Sequence, residues 1–239
     1  MLDSPAIRET VRLPFDWDLV LAWFAARAIP GVERVEGGVY ERGDVRAWHA
    51  DGFVHSTGES ARIRRLFDLD ADPAAIAKTL SRDRMLAALL RKKPGIRVPG
   101  VWDPFELAVR AIVGQQVSVA GARTVLGRIA ATYGITPEGL AGADIQSMPR
   151  KRAETIRMLA RGVATNTIDL QRDDLTQLPG IGPWTASYIA MRLGDADAFP
   201  AGDLILRRNA GDLTERELRD RAERWRPYRA YAAMLLWTR

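Results

Sequence analysis

The 239-residue sequence predicts an α+β fold: a small antiparallel sheet with helices at the amino-terminal end, then a mostly α-helical remainder. Two observations predict it. Residues 32–56, VERVEGGVYERGDVRAWHADGFVHS, alternate in polarity and are punctuated by Gly-Gly, Gly-Asp and Asp-Gly, as short strands joined by tight turns are. Beyond KKPGIRVPG (residues 92–100), a Pro/Gly-rich break that marks a domain boundary, the apolar spacing is helical almost throughout.

The elements follow in order. Asp16 caps a helix running to about Ile29, with Leu19, Trp23 and Ala26 on a shared face. After the strands, residues 59–69 return to helical spacing, and Asp72-Pro73 opens another helix. Asp103-Pro104-Phe105-Glu106 is a helix start, with an aspartate cap, proline next and an acid at the third position. A helix from about Val117 to Tyr133 stops at Gly134, and others are expected near 136–142, 150–164 and 171–177. Thr214 and Glu217 form a capping box, and Trp225-Arg226-Pro227 starts the last helix.

Composition removes several kinds of chemistry. There is no cysteine, so disulfides, thiolate zinc sites, iron–sulfur clusters and cysteine nucleophiles are excluded. The two histidines, His49 and His55, are expected on one face of the sheet as polar surface rather than as a metal pair. Chemistry must then rest on carboxylates, hydroxyls, amides or aromatics. The net charge of +5 points to a polyanionic partner. Only four of the 35 basic residues are lysine (Lys78, Lys92, Lys93, Lys151); arginine suits phosphate, though codon composition produces the same bias. The start lacks a signal-peptide pattern and no apolar run is long enough to span a membrane, so the expected compartment is the cytoplasm, nucleoid-associated in a prokaryote.

The sharpest local feature is LPGIGPWTA, residues 178–186. Gly180 and Gly182 let the backbone turn tightly, Pro183 begins the next helix, and unpaired N–H groups there make an anion site that a DNA phosphate fits. A plain connection between two helices accounts for Pro-Gly-x-Gly equally well. Downstream lies AFPAGDLILRR (198–208), and the pattern Leu-Pro-Gly-Ile-Gly…Asp resembles the helix-hairpin-helix DNA glycosylases. FELAVRAIVGQQVSVAGA (105–122), AERWRPYRAYAAMLLW (222–237), PFDWDLVLAWFAARAI (14–29), RLFDLDADP (65–73) and PGIRVPG (94–100) extend the likeness to 3-methyladenine-DNA glycosylase II, the AlkA type, over almost the whole chain.

That resemblance implies three parts: a mixed α/β, TATA-binding-protein-like domain over 1–97, a helical domain with the DNA-inserting loop and the hairpin over 98–200, and carboxy-terminal helices over 201–239 completing the cleft. The sheet is short between about 50 and 60, as if lacking a strand. The family aspartate that faces the scissile nucleotide corresponds to Asp203, which also caps the helix Leu204–Asn209. Gln115 and Gln116 fall at the inserting loop, Gln116 at its tip where leucine is frequent in this type. Trp184, Tyr188, Trp237 and Trp23 are expected around the flipped base; Trp17, Trp48, Trp102 and Trp225 are read as core. Asp195 and Asp197, the nearby rivals of Asp203, are read as solvated turn residues. Leu204 stands where the family often has an aromatic.

The chemistry implied is base flipping followed by hydrolysis, with Asp203 stabilising positive charge at C1′ and activating water. Trp184 stands where backbone-cutting relatives carry a lysine, so no lyase activity is expected. An electron-rich cleft attracts cationic N-alkylpurines such as 3-methyladenine and 7-methylguanine. No cofactor is required; the carbonyls of Thr176, Leu178 and Ile181 correspond to a family Na⁺ or K⁺ site at the hairpin. The expected partner is double-stranded DNA with damaged bases, bound by a monomer. Two alternatives stand beside this: a glycosylase for deaminated or mismatched bases, and a non-catalytic helix-hairpin-helix DNA-binding module. Derivation from a larger fusion protein is also open.

Overall fold

In the sheet every strand pairs antiparallel with its neighbour, in the order β1-β5-β4-β3-β2 along the chain numbering. The strands are β1 (Ile7–Glu9), β2 (Glu33–Glu36), β3 (Val39–Arg42), β4 (Val45–Ala50) and β5 (Phe53–Ser56). The structure is a computed structural model that describes residues 6–239; the start of the amino-terminal segment, 1–5, lies outside the described residues. β1 escapes sequence reading because three residues are too few to display alternation. The short stretch from 50 to 60 holds β5, which passes almost at once into α2 (Ser60–Phe67).

Register corrects the placing of the histidines. His49 pairs with Val54 while Trp48 pairs with His55. Side chains alternate across a strand, so the two imidazoles point to opposite faces. His49 packs inward against Phe15 and Trp17, with centroids 5.8 and 6.4 Å away. His55 stacks on Trp48 at 5.5 Å on the outer face, so Trp48 is half-buried surface rather than core.

Helix starts follow their caps. Asp16 accepts from the Leu19 N–H at 2.9 Å and opens α1 (Trp17–Arg27). Asp72 opens α3 (Pro73–Leu80), but the chain then breaks and Asp83 caps a second helix, α4 (Arg84–Lys92). Asp103 accepts from the Glu106 N–H at 2.8 Å at the start of α5 (Pro104–Val113). The Glu106 side chain is buried and engages Arg42 and Arg110, which also bind Glu33; this network joins the sheet to α5. Then come α6 (Val119–Tyr133), α7 (Pro137–Leu140), α8 (Arg150–Ala164), α9 (Pro183–Arg192), α10 (Leu204–Asn209), α11 (Glu215–Ala222) and α12 (Arg229–Trp237).

Three expectations shift. α6 begins at Val119 because Ser118 caps it, leaving Gln115–Ser118 as loop. The helix expected at 171–177 is a single 3-10 turn, Leu175–Gln177. There Asp169, Asp173 and Asp174 side chains take backbone N–H groups that a helix would use. The last helix starts at Arg229 rather than Pro227, after a 3-10 turn at Glu223–Trp225.

Packing does not follow chain order. α3 and α4 share an apolar core with α10, α11 and α12, sealed by the buried Trp225. A bidentate Arg221–Asp83 pair at 2.9 Å, with the Trp225 indole also donating to Asp83, ties α4 to α11. A second core joins α5–α8 to Ile189 of α9, and a third lies between α1, α2 and the sheet. The seam where these three units meet is the cleft.

Candidate active site

A cleft of about 1140 Å³ opens between α1, the loop Gly114–Ser118, α9, α10 and α12. Asp203 stands at its edge, half-buried, as the cap of α10. Its Oδ1 accepts from the backbone N–H of Ile205 and of Leu206, both at 2.9 Å. The same oxygen accepts from Trp237 Nε1 at 3.0 Å, and Oδ2 accepts from Trp184 Nε1 at 2.9 Å. Capping thus uses one oxygen, and two indoles from α9 and α12 fix the plane of the carboxylate. The rivals lie elsewhere: neither Asp195 nor Asp197 lines the cleft. Asp195 bonds the Asp197 and Ala198 N–H groups, as a turn residue does. Asp197 is paired with Arg229 and Arg226, so it is a salt-bridge partner rather than a solvated turn acid.

The four expected pocket aromatics meet. Trp184 and Tyr188, one turn apart on α9, stack with centroids 5.5 Å apart and planes 7° from parallel. Tyr188 meets the edge of Trp237 at 6.1 Å, and Trp237 meets Trp23 at 6.0 Å. They form one continuous wall running inward from Asp203. Of the tryptophans read as core, Trp17 and Trp225 are buried; Trp102 is half-buried and lines the cleft.

Two arginines in this wall were missed by the sequence reading. Arg192, one turn beyond Tyr188, is buried and donates to the Tyr188 hydroxyl at 2.8 Å, to Gly100 O at 2.7 Å and to Pro99 O. Arg27 lays its guanidinium over the Trp23 ring, 3.4 Å from the centroid. Burial raises the Tyr188 phenol, but the Arg192 and Arg27 charges outweigh it and hold its pKa below the ordinary value. Burial likewise lowers Arg27. The available signal was spacing: arginine four residues from a pocket aromatic on the same helix face.

The hairpin forms as expected. Gly180 has φ +90°, in the region that favours glycine, and a β-carbon there would meet Thr155 Oγ1 at 2.2 Å. Thr155 donates to Pro179 O at 3.0 Å, pinning the turn to α8. Gly182 is exposed, caps α9 without a side chain, and has open space where a β-carbon would sit; Pro183 follows at the first helical position. The two loop glutamines part company. Gln115 Nε2 donates to Gly180 O at 2.9 Å and to Thr185 Oγ1 at 3.0 Å, so it latches the loop to the hairpin. Gln116 is exposed at the tip with φ +57°, followed by the exposed Val117 and Val119. Leu204 and Ile205 are exposed on the opposite lip, 52% and 46% accessible, so apolar side chains frame both sides of the opening. Thr176, Leu178 and Ile181 all lie in the hairpin approach, where the Leu178 carbonyl accepts from the Ile181 N–H at 3.0 Å.

Comparison with known proteins agrees with this geometry. The family model for the AlkA N-terminal domain matches residues 6–61 and 55–103. The Escherichia coli protein named DNA-3-methyladenine glycosylase 2 is 35% identical over 94% of this chain and 94% of its own length. The chain belongs to the AlkA family. A Mycobacterium tuberculosis relative, named "Probable bifunctional transcriptional activator/DNA repair enzyme AlkA", is 39% identical over 98% of this chain but 56% of its own length. The chain therefore spans just over half of that relative. Among solved structures, a 3-methyladenine DNA-glycosylase from Archaeoglobus fulgidus superposes with a TM-score of 0.83 over 96% of both chains at 22% identity. An 8-oxoguanine glycosylase/lyase from Clostridium acetobutylicum, in complex with DNA, gives 0.70 over 86% of this chain and 85% of its own at 18% identity. The AlkA fold is thus shared with helix-hairpin-helix glycosylases at low identity.

Proposed function

We propose that this AlkA-family chain is a monofunctional DNA glycosylase for alkylated bases such as 3-methyladenine and 7-methylguanine, acting in base excision repair. The observation that carries it is Asp203: a carboxylate oriented by two indole N–H groups at the edge of an aromatic cleft roomy enough to admit a base. The hairpin and the N-terminus of α9 hold a phosphate, the Gln116 tip enters the duplex, and the damaged nucleotide swings into the cleft. Cleavage of the N-glycosidic bond develops positive charge at C1′, which Asp203 stabilises while it orients and deprotonates the attacking water. Trp184 and Trp237 present their faces to a cationic base. No lysine lines the cleft among the described residues, which supports water as nucleophile and no strand cutting. The neutral carbonyls of Thr176, Leu178 and Ile181 would hold a monovalent cation at the hairpin, which would add positive charge for a DNA phosphate; the reaction itself needs no cofactor. The partner is double-stranded DNA, bound by a monomer in the cytoplasm. No helix among the described residues is long and apolar enough to cross a membrane.

The test is base release from duplex DNA treated with a methylating agent, followed by gel analysis with and without alkali. Free methylated purines, with strands cut only after alkali, are the expected result. Release with direct strand cutting contradicts the monofunctional reading; DNA binding without release contradicts the alkylbase reading.

A further inference from the structure

The inner end of the cleft, away from Asp203, is closed by Trp23 and Arg27 of α1. Its hydrogen-bonding state is unlike that of the rest of the site. Each of the three guanidinium nitrogens of Arg192 has an acceptor, in Tyr188, Pro99 and Gly100. Arg27 donates from Nη1 to Trp23 O at 3.4 Å and lies within hydrogen-bonding reach of the Tyr188 hydroxyl, which Arg192 already engages. No carboxylate pairs with it among the described residues. Besides Asp203, the acids lining the cleft are Glu33 and Glu106, which are already taken by Arg42 and Arg110. Next to it Trp23, only 7% exposed, has a buried indole Nε1 with no partner. The Trp23 indole N–H thus lacks an acceptor beside a guanidinium that no carboxylate neutralises, a costly arrangement that a bound acceptor relieves.

A flipped purine whose glycosidic bond lies at Asp203 and whose ring follows the Trp237–Trp23 wall turns its far edge toward these donors. We propose that Arg27, assisted by the Trp23 indole N–H, reads that edge by donating to a ring carbonyl, so that the pocket favours 6-oxopurines over 6-aminopurines. The guanidinium fork suits such an oxygen, as it does in reading guanine O6. A 6-amino group instead sets N–H against N–H and leaves the donors unsatisfied, which discriminates more strongly than a missing methylene does. This assignment rests on the glycosylase reading above and adds to it a specificity determinant.

One methylated duplex supplies both substrates, since 7-methylguanine carries O6 and 3-methyladenine carries an amino group at the same position. Release of the two bases is quantified by chromatography for the wild type, Arg27→Met and Trp23→Phe, with thermal melting of each protein. Arg27→Met is expected to slow 7-methylguanine release about tenfold while 3-methyladenine changes less than about twofold. Trp23→Phe keeps the ring, removes the donor and is expected to shift the ratio the same way by about threefold. An unchanged ratio in both variants, or an equal fall in both bases with melting unaltered, overturns the role of Arg27. Release of neither base by the wild type overturns the glycosylase reading itself, and is told apart because it does not depend on the variants.

Discussion

At the outer end of the cleft Asp203 accepts four N–H donors, while at the inner end the buried Trp23 indole N–H has found no acceptor and the Arg27 guanidinium beside it has no carboxylate partner among the described residues. The same wall of aromatics connects them. The outer end is finished before any ligand arrives: the carboxylate is held in one orientation, as a group meant to stabilise developing charge must be. The inner end is unfinished, as a group meant to discriminate must be, because its partner is supplied by the ligand. On the proposed function, chemistry and recognition are separated along one cleft, and substitutions at the two ends should have different signatures.

The largest effect is expected for Asp203→Asn, with base release slowed on the order of a thousandfold in single-turnover assays. Asparagine still caps α10, so melting should move by only a few degrees. Removing the two indole donors together, Trp184→Phe with Trp237→Phe, keeps most of the apolar wall but leaves the carboxylate held through its capping oxygen alone; about a hundredfold slower turnover is expected, on both substrates alike. Loss of one base only would show that these indoles select rather than orient. The Arg27 ratio change, about tenfold, is the converse case. Gln115→Leu unlatches the probing loop from the hairpin and should weaken binding to lesion duplex a few-fold with little change in single-turnover rate, measured by titration.

The smallest effect on activity is expected at Asp68, whose change should register in stability. Burial pushes its carboxyl up to about 6, despite bonds from the Val98 N–H and the Tyr231 hydroxyl. The folded protein therefore holds this proton more tightly than the unfolded chain does, and stability is lost as pH rises through the range from about 4 to about 6. Asparagine accepts the same two bonds and suits the φ of +53° at this site. Asp68→Asn should melt higher than wild type at pH 8, by about 3 kcal/mol in unfolding free energy, and equally at pH 4.

What could be read beforehand follows from how local each signal is. Asp16, Asp72, Asp103, Thr214 and the 178–186 hairpin act within a few residues of themselves, and the structure has them capping and turning where expected. The four aromatics of the cleft came from resemblance, because nothing in their spacing joins Trp23 to Trp237. Three features were hidden for physical reasons. The indole bonds to Asp203 depend on how α9 and α12 cross. The sharing of a core by α3, α4 and the last three helices is a long-range packing fact with no periodicity of its own. Arg27 and Arg192 went unremarked in the sequence because only the fold turns both toward one ring, Trp23.

The most direct measurement follows wild type and Asp203→Asn on one methylated duplex, recording DNA affinity by titration and base release in single turnover. The expected result is equal affinity within a few-fold, rapid release of methylated purines by the wild type and almost none by the variant. Comparable release by both proteins would reduce Asp203 to a helix cap and contradict its role as the catalytic carboxylate.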